Sequence, residues 1–327
     1  MITSDRRSFL KGLAGWAGAA GAGGLLSRTT ASGSQSGASK AMVPLVCQTL
    51  PYRGHPLVRA LEGISKAGYK YVHLWQNHAG KPAFTPALTA AQRAEMKKLM
   101  TDHGLKPVTS FVGLSIDVRT PEGQAAYRKE LDLFREFDVR TVIGVGPGRY
   151  TRFPTELKPK EVWERECDAF LKGLEKVLPH AEELGITITL KPHADISYRA
   201  SAGLEVVRRV NHPNLKACWD GGNVSYYEGI NPDPDLHALA PHVRAVCIKD
   251  HRGERANADF PVPGEGQVDF DLMFRILFAA GFGGPLAVER VDGTMDATKM
   301  DAGLIDQRIK QARDFVMPLL SKYACPE

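Results

Sequence analysis

The sequence contains no pair of cysteines at the spacing C-x-x-C, and its five cysteines are an odd number. A disulfide framework is therefore not indicated, and we expect buried free thiols. The net charge is also small, because 42 basic residues face 37 acidic ones. No stretch interleaves basic with aromatic residues, so nucleic acid is not an expected partner.

The chain lacks an apolar run long enough for a stable membrane span. Its most apolar stretch, residues 12–26, is short and rich in glycine. It follows the segment SDRRSFLK at residues 4–11, which resembles a twin-arginine export signal, with Asp5 where serine or threonine is commonest. We expect residues 1–31 to be a cleaved signal, residues 32–42 a linker, and the mature protein periplasmic or otherwise extracytoplasmic. A membrane-anchoring helix is the alternative.

Strand-like and helical patterns alternate eight times along the rest of the chain. Strands are predicted at residues 43–48, 69–75, 106–112, 141–145, 186–191, 216–220, 244–249 and 286–289, and helices at 56–67, 89–103, 121–137, 159–184, 202–210, 234–239, 269–280 and 301–320. Eight such units in 327 residues predict an α/β fold, a closed (β/α)8 or TIM barrel. It would form one domain over residues 43–322, with a tail at 323–327. A doubly wound sheet is the alternative.

Four of the later strands end in an ionisable residue: Lys191, Asp220, Lys249 and Glu289. Alternate side chains of a strand face opposite ways, and in these strands one face is aliphatic while the other is small or polar. The carboxyl ends of parallel strands in a barrel share one mouth. The four side chains are therefore expected to converge there as an active site.

Several segments near these residues have a recognisable pattern. They read LKPH at 190–193, WDGGN at 219–223, CIKD at 247–250, FPVPGEGQVDF at 260–270 and AVE at 287–289. In order and spacing they resemble the xylose-isomerase-like barrels of the sugar phosphate isomerase/epimerase family, which include inosose dehydratases. The likeness extends over residues 44–320.

The resemblance implies a divalent metal held by Glu, Asp, His and Glu at the ends of strands five to eight, and two glutamates that exchange substrate protons. At these places the chain has Lys191, Asp220, Cys247 and Glu289, and it has Asn223 where a histidine is usual. A protonated lysine cannot ligate a metal, but its charge can supply part of what a metal would.

A single thiolate among oxygen ligands is unusual for magnesium or manganese. A divalent cation (Mn, Mg or Zn) held by Asp220 and Glu289 and a site without metal therefore both stay open. The glycine-rich turn GVGPG at residues 144–148 lacks the fingerprint of a dinucleotide or nucleotide loop, so no nucleotide cofactor is expected.

We interpret the chain as an exported isomerase or epimerase of a small sugar or keto-sugar. These reactions begin with removal of a proton next to a carbonyl, and a cation stabilises the resulting enediolate. Glu289 is the expected base, Lys191 and Lys249 the expected oxyanion stabilisers, and His193 a proton relay. Asp220 would hold a substrate hydroxyl or the metal. Further expected substrate-binding residues are His73, Trp75, Asn223, Lys249 and Asp250.

Two other functions remain open. A keto-sugar dehydratase or lyase would use the same carbanion, and one base with one acid would suffice for it. A carbohydrate-binding barrel without catalysis is the other, and the incomplete metal-ligand set is consistent with it. The four charged residues could also be structural ion pairs that close the barrel mouth. A DNA-repair endonuclease is disfavoured, because it would need more His and carboxylate ligands and a basic groove. The sequence does not predict the oligomeric state.

Overall fold

The computed structural model describes residues 42–326. The predicted export signal and nearly all of the predicted linker lie outside these residues. Among the helices of this part of the chain, none is both long and apolar enough to cross a membrane.

Eight parallel strands close into a barrel. They are β1 (Leu45–Gln48), β2 (Tyr71–Leu74), β3 (Lys106–Phe111), β4 (Thr141–Gly144), β5 (Thr187–Leu190), β6 (Leu215–Trp219), β7 (Val243–Ile248) and β8 (Leu286–Val288). Strand β8 pairs with β1, where Leu286 lies opposite Leu45, so the barrel has no open edge. The predicted TIM barrel is confirmed, and the alternative of a doubly wound sheet is wrong.

Helices follow the strands and cover the outside of the barrel. They are α1 (Leu57–Lys66), α2 (Ala90–Asp102), α3 (Pro121–Glu136), α4 (Lys160–Glu183), α5 (Ala200–Val210), α6 (Gly221–Glu228), α7 (Leu236–Leu239), α8 (Phe270–Ala279) and α9 (Ala302–Leu320). All eight predicted helices have a counterpart among them.

Helix α6 is the element that the sequence patterns do not predict. Its residues, GGNVSYYE, include two glycines, a β-branched residue and two aromatics, all of which are weaker helix formers than alanine. The helix forms because the Asp220 side chain accepts a hydrogen bond from the Asn223 N–H at its start. Gly229, with a φ of 68°, ends it in the left-handed conformation.

The barrel strands separate two apolar layers. Aliphatic side chains such as Ile188, Val246 and Val288 belong to the large core between strands and helices. A smaller cluster consists of Phe111, Ile143, Cys218, Ala245 and Cys247, with Trp75 packed against it. Both cysteines are therefore buried free thiols that pack in the core, and buried free thiols are what the sequence analysis expects.

Residues at both ends of the described chain pair with each other. Met42–Val43 forms a short parallel pair with Cys325–Pro326. The folded unit thus includes the last residue of the predicted linker and part of the predicted tail.

Candidate active site

The four ionisable residues at the strand ends meet at one mouth of the barrel. Lys191 follows β5, Asp220 follows β6, Lys249 follows β7 and Glu289 follows β8. Each is at most 4 % exposed. The structure therefore brings together the side chains whose convergence the strand periodicity predicts, and we call these four residues the charged cluster.

Each carboxylate of the charged cluster contacts both ammonium groups. The Lys191 Nζ lies 2.9 and 2.8 Å from the two Glu289 oxygens and 3.3 Å from the Asp220 Oδ2. The Lys249 Nζ lies 2.5 Å from the Glu289 Oε1 and 3.2 Å from the Asp220 Oδ2, and it donates to the Asn223 Oδ1 at 2.8 Å. Two positive charges thus balance two negative ones, which is the condition for keeping charges buried.

The contacts keep Lys191 and Glu289 charged. Burial works against a charge on Lys191, but the negative charges of Glu289 and its neighbours outweigh burial and hold the lysine pKa well above its usual range. Burial would likewise raise the pKa of Glu289, but Lys191 and Lys249 hold it well below its usual range. Lys191 is therefore a permanent cation rather than a nucleophilic amine. Glu289 is a weak base for as long as both lysines contact it.

Both carboxylates of the charged cluster and the neighbouring Cys247 could offer ligand atoms to a metal. Asp220, Cys247 and Glu289 place one such atom each within 4.8 Å of the others. The two ammonium groups, however, already bind the carboxylate oxygens that a metal would need. A divalent ion would also add two uncompensated charges to a neutral, buried cluster. Burial raises the pKa of the Cys247 thiol well above its usual range, so it is protonated. This donor set does not fit a divalent metal.

A pocket of about 400 Å³ opens above the charged cluster. Lys191, Lys249 and Glu289 lie at its floor. Its other lining residues include four aromatic ones, Trp75, Tyr226, Tyr227 and Phe260, and the polar or charged Arg53, His193, Asn223 and Arg290. A concave pocket of this size, in which aromatic and polar side chains converge, is suited to a small molecule.

His193 and Tyr227 form a neutral hydrogen-bonded pair in the pocket wall. The Tyr227 hydroxyl lies 2.7 Å from the His193 Nε2. Burial, together with the charges of Lys191 and Lys249, lowers the pKa of His193 to about 3. Burial raises the pKa of Tyr227, so its phenol is protonated and donates to the histidine. The sequence analysis named His193 but not Tyr227, which lies on the unpredicted helix α6.

Two of the expected substrate-binding residues do not line this pocket. The Asp250 carboxylate is fully buried and accepts four backbone N–H groups at 2.8–3.0 Å, from His251, Gly264, Gly266 and Val268. Its acceptor positions are used within the loop after β7, and its role in substrate binding stays a prediction. Trp75, Asn223 and Lys249 do line the pocket.

His73 is fully buried inside the barrel, with its ring centroid 4.7 Å from that of Phe111. Burial lowers its pKa to about 3, and neither ring nitrogen has a hydrogen-bond partner among the described residues. The Lys191 Nζ approaches the same Phe111 ring to 4.9 Å. His73 does not line the pocket, and its contact with substrate stays a prediction.

Residues 61–314 match the family model described as the xylose isomerase-like TIM barrel. The chain belongs to this family. The match covers the strands and loops that carry the charged cluster, so the cluster occupies the mouth of a family barrel.

Curated relatives include two kinds of sugar enzyme. The inosose dehydratase of Geobacillus thermodenitrificans is 24% identical over 218 residues, which are 59% of this chain and 72% of the relative. The L-ribulose-5-phosphate 3-epimerase of Salmonella paratyphi A is 24% identical over 213 residues, 64% of this chain and 68% of the relative. The chain is thus similar to a dehydratase and to an epimerase at the same level.

Solved structures share the fold. A D-allulose 3-epimerase from a Methylomonas species aligns with a TM-score of 0.63 at 19% identity, and the alignment covers 85% of this chain and 98% of that one. At this identity the likeness shows the architecture alone. It agrees with the family match, which makes this protein a xylose isomerase-like TIM barrel.

Proposed function

We propose that the protein is an isomerase or epimerase of a small sugar or keto-sugar that removes a proton from the carbon next to a carbonyl. The observation that carries the proposal is the convergence of two lysine ammonium groups and the Glu289 carboxylate at the floor of one pocket. This arrangement places a base beside two cations, which is what formation of an enediolate requires.

Substrate binding would also activate the base. A carbonyl or hydroxyl oxygen that enters between Lys191 and Lys249 takes over hydrogen bonds that Glu289 holds in the free protein. The Glu289 carboxylate then loses part of the positive charge that lowers its pKa, and its basicity rises. Lys191, which is protonated, stabilises the developing oxyanion as a cation, and Lys249 lies beside it on the same Glu289 carboxylate. Asp220 keeps both ammonium groups in place from below.

The proposed mechanism needs no divalent metal. Lys191 and Lys249 hold two positive charges at the place where the family resemblance implies a metal ion, and they occupy the carboxylate oxygens that would ligate it. The cation that stabilises the enediolate is then part of the polypeptide itself.

A dehydratase or lyase is the second candidate, and a specific observation favours it. Glu289 is the one carboxylate among the described residues that line the pocket. A second proton-transfer group could be the protonated phenol of Tyr227, which shares its proton with His193. One base and one acid suffice for removal of a proton and expulsion of a hydroxyl group as water.

We also propose that the protein is exported by the twin-arginine route and works outside the cytoplasm. The support is the SDRRSFLK segment and the weakly apolar run that follows it. Both lie outside the described residues.

The test is exchange of substrate carbon-bound hydrogen with solvent deuterium, measured by NMR on a panel of ketohexoses, ketopentoses and their uronate and phosphate derivatives. Glu289→Gln should abolish exchange, whereas Glu164→Gln, a change on the exposed face of α4, should leave it at the parental rate. Product spectra separate the two candidates, because a dehydratase yields a product that has lost water.

Circular dichroism at the assay temperature must show that Glu289→Gln is folded. If the folded variant exchanges deuterium at the parental rate, Glu289 is not the base. A parent protein that exchanges no member of the panel would favour a carbohydrate-binding barrel over an enzyme.

A further inference from the structure

Arg53 is a cation at the pocket, and no carboxylate of residues 42–326 lies within ion-pair distance of it. It follows the short 3₁₀ turn Leu50–Tyr52 after β1 and lines the pocket above the charged cluster. Its Nη1 atom is buried and has no hydrogen-bond partner among the described residues. A buried, unpaired guanidinium nitrogen is costly, because it has lost water and gained no acceptor.

The guanidinium of Arg290 lies close enough to Arg53 to disfavour its positive charge further. Burial lowers the pKa of Arg53, and the charge of Arg290 lowers it further. Arg290 also lines the pocket, and it stacks on the Phe260 ring at 4.3 Å. Asp292 binds two of its three guanidinium nitrogens, Nε and Nη2. Asp292 is thus engaged by Arg290 and does not hydrogen-bond to Arg53.

The charges around the pocket do not balance. Asp220, Glu289 and Asp292 supply three negative charges against the four positive ones of Lys191, Lys249, Arg290 and Arg53. Asp296 also acts on Arg53 at a distance, but it is solvent-exposed and engaged by Thr298 and Lys299. One positive charge therefore remains, and it is carried by the guanidinium that lacks an acceptor.

We propose that Arg53, with Arg290 beside it, binds an anionic group of the substrate, so that the enzyme acts on an acidic sugar derivative rather than a neutral one. A carboxylate or a phosphate could accept from the Arg53 Nη1 and lie between the two guanidinium groups. The single unbalanced charge matches a carboxylate better than a dianionic phosphate. This inference rests on the proposed function, in that it assigns a substrate class to the same pocket.

The test uses three ligands with one carbon skeleton that differ only at C6: D-fructose, D-fructuronate and D-fructose 6-phosphate. Titration calorimetry on the parent protein should show at least about tenfold tighter binding of one anionic ligand than of D-fructose. Arg53→Gln should remove this difference, and Arg53→Lys should restore part of it because it keeps the charge. Arg209→Gln, which changes an exposed arginine paired with Asp168, is the matched control and should bind as the parent does.

Each outcome decides the proposal. Preference for D-fructuronate identifies a carboxylate as the anion, and preference for D-fructose 6-phosphate identifies a phosphate. A parent that binds no anionic ligand more tightly than D-fructose overturns the proposal, and so does an Arg53→Gln variant that keeps the preference.

Thermal denaturation separates a binding role from a structural one. Removal of an unpaired, half-buried charge should not lower the melting temperature, so a marked fall in Arg53→Gln would also overturn the proposal. Because binding is measured without turnover, an intact anion preference in a protein that shows no deuterium exchange would contradict the proposed reaction and leave this inference standing.

Discussion

Replacement of Lys191 by glutamate tests whether the lysines stand in for a metal ion. In the parent, the Lys191 Nζ contacts both Glu289 oxygens and the Asp220 Oδ2 within 3.3 Å. Lys191→Glu changes the net charge of the charged cluster from zero to −2, because Lys249 remains. Breaking a buried ion pair by removing one partner costs about 3–5 kcal/mol. We expect the metal-free variant to lose at least this much free energy of unfolding.

The same substitution should create a metal site. The new carboxylate would lie beside those of Asp220 and Glu289, and hard oxygen ligands of this kind suit Mn²⁺ or Mg²⁺. A ligand present at 100 times its Kd stabilises the folded state by about 2.7 kcal/mol. For a domain of this size that corresponds to roughly 5 °C in melting temperature. Thermal denaturation of Lys191→Glu with and without MnCl₂ should show this rise.

Lys191→Met is the matched control, because it removes the charge without adding a ligand. It should be destabilised to a similar degree, and Mn²⁺ should leave its melting temperature unchanged. The reasoning is refuted if elemental analysis finds stoichiometric metal in the parent and chelation abolishes its deuterium exchange. A parent that Mn²⁺ stabilises as strongly as Lys191→Glu would refute it equally and favour an ordinary metal mechanism.

Three further predictions concern single features of the chain. Asp250→Asn should lower the free energy of unfolding by about 3 kcal/mol in urea denaturation, because an amide offers one acceptor oxygen where the carboxylate accepts four N–H groups; an unchanged midpoint would contradict this. Burial raises the pKa of Glu130 from 4.5 to about 7, so the folded state holds its proton more tightly. Stability should therefore fall by up to about 3 kcal/mol as the pH rises through this window, and Glu130→Gln should lack that part of the pH dependence when both proteins are unfolded at pH 5 and pH 8. Lysine at both Arg6 and Arg7 should block export, measured by cell fractionation, and unchanged periplasmic levels would disprove the twin-arginine assignment.

The barrel and the charged cluster could be predicted because both depend on short-range periodicity. Ile188 and Leu190 alternate with Thr189 and Lys191 along β5, so the face of each side chain follows from the sequence alone. Closure of the barrel then fixes which ends meet, and it brought Lys191 and Glu289 within hydrogen-bonding distance across 98 residues of sequence. Periodicity does not predict which loops lie over the charged cluster at the barrel mouth.

The sequence patterns miss features that depend on contacts between distant segments of the chain. Asp250 comes directly after Lys249, and nothing in the local sequence shows that the backbone of residues 264–268 folds back onto its carboxylate. Tyr227 lies on a helix that depends on the Asp220 cap rather than on helix propensity. The sequence patterns do not single out Arg53. Its role depends on proximity to Arg290, which is 237 residues away in the sequence. The signal available in the sequence was only that each arginine lies just after a barrel strand.

The neutrality of the charged cluster links substrate binding to the proposed chemistry. In the free protein Lys191 and Lys249 neutralise Glu289 and Asp220, so the cluster can stay buried but Glu289 is a poor base. A substrate oxygen that draws the ammonium groups toward itself frees the carboxylate at the moment when a base is needed. A bound metal ion would not be displaced from Glu289 so readily, since its ligand bonds are stronger than a shared hydrogen bond. In the proposed mechanism, two movable lysine cations and one glutamate thus replace the fixed cation and two glutamates that the family resemblance implies.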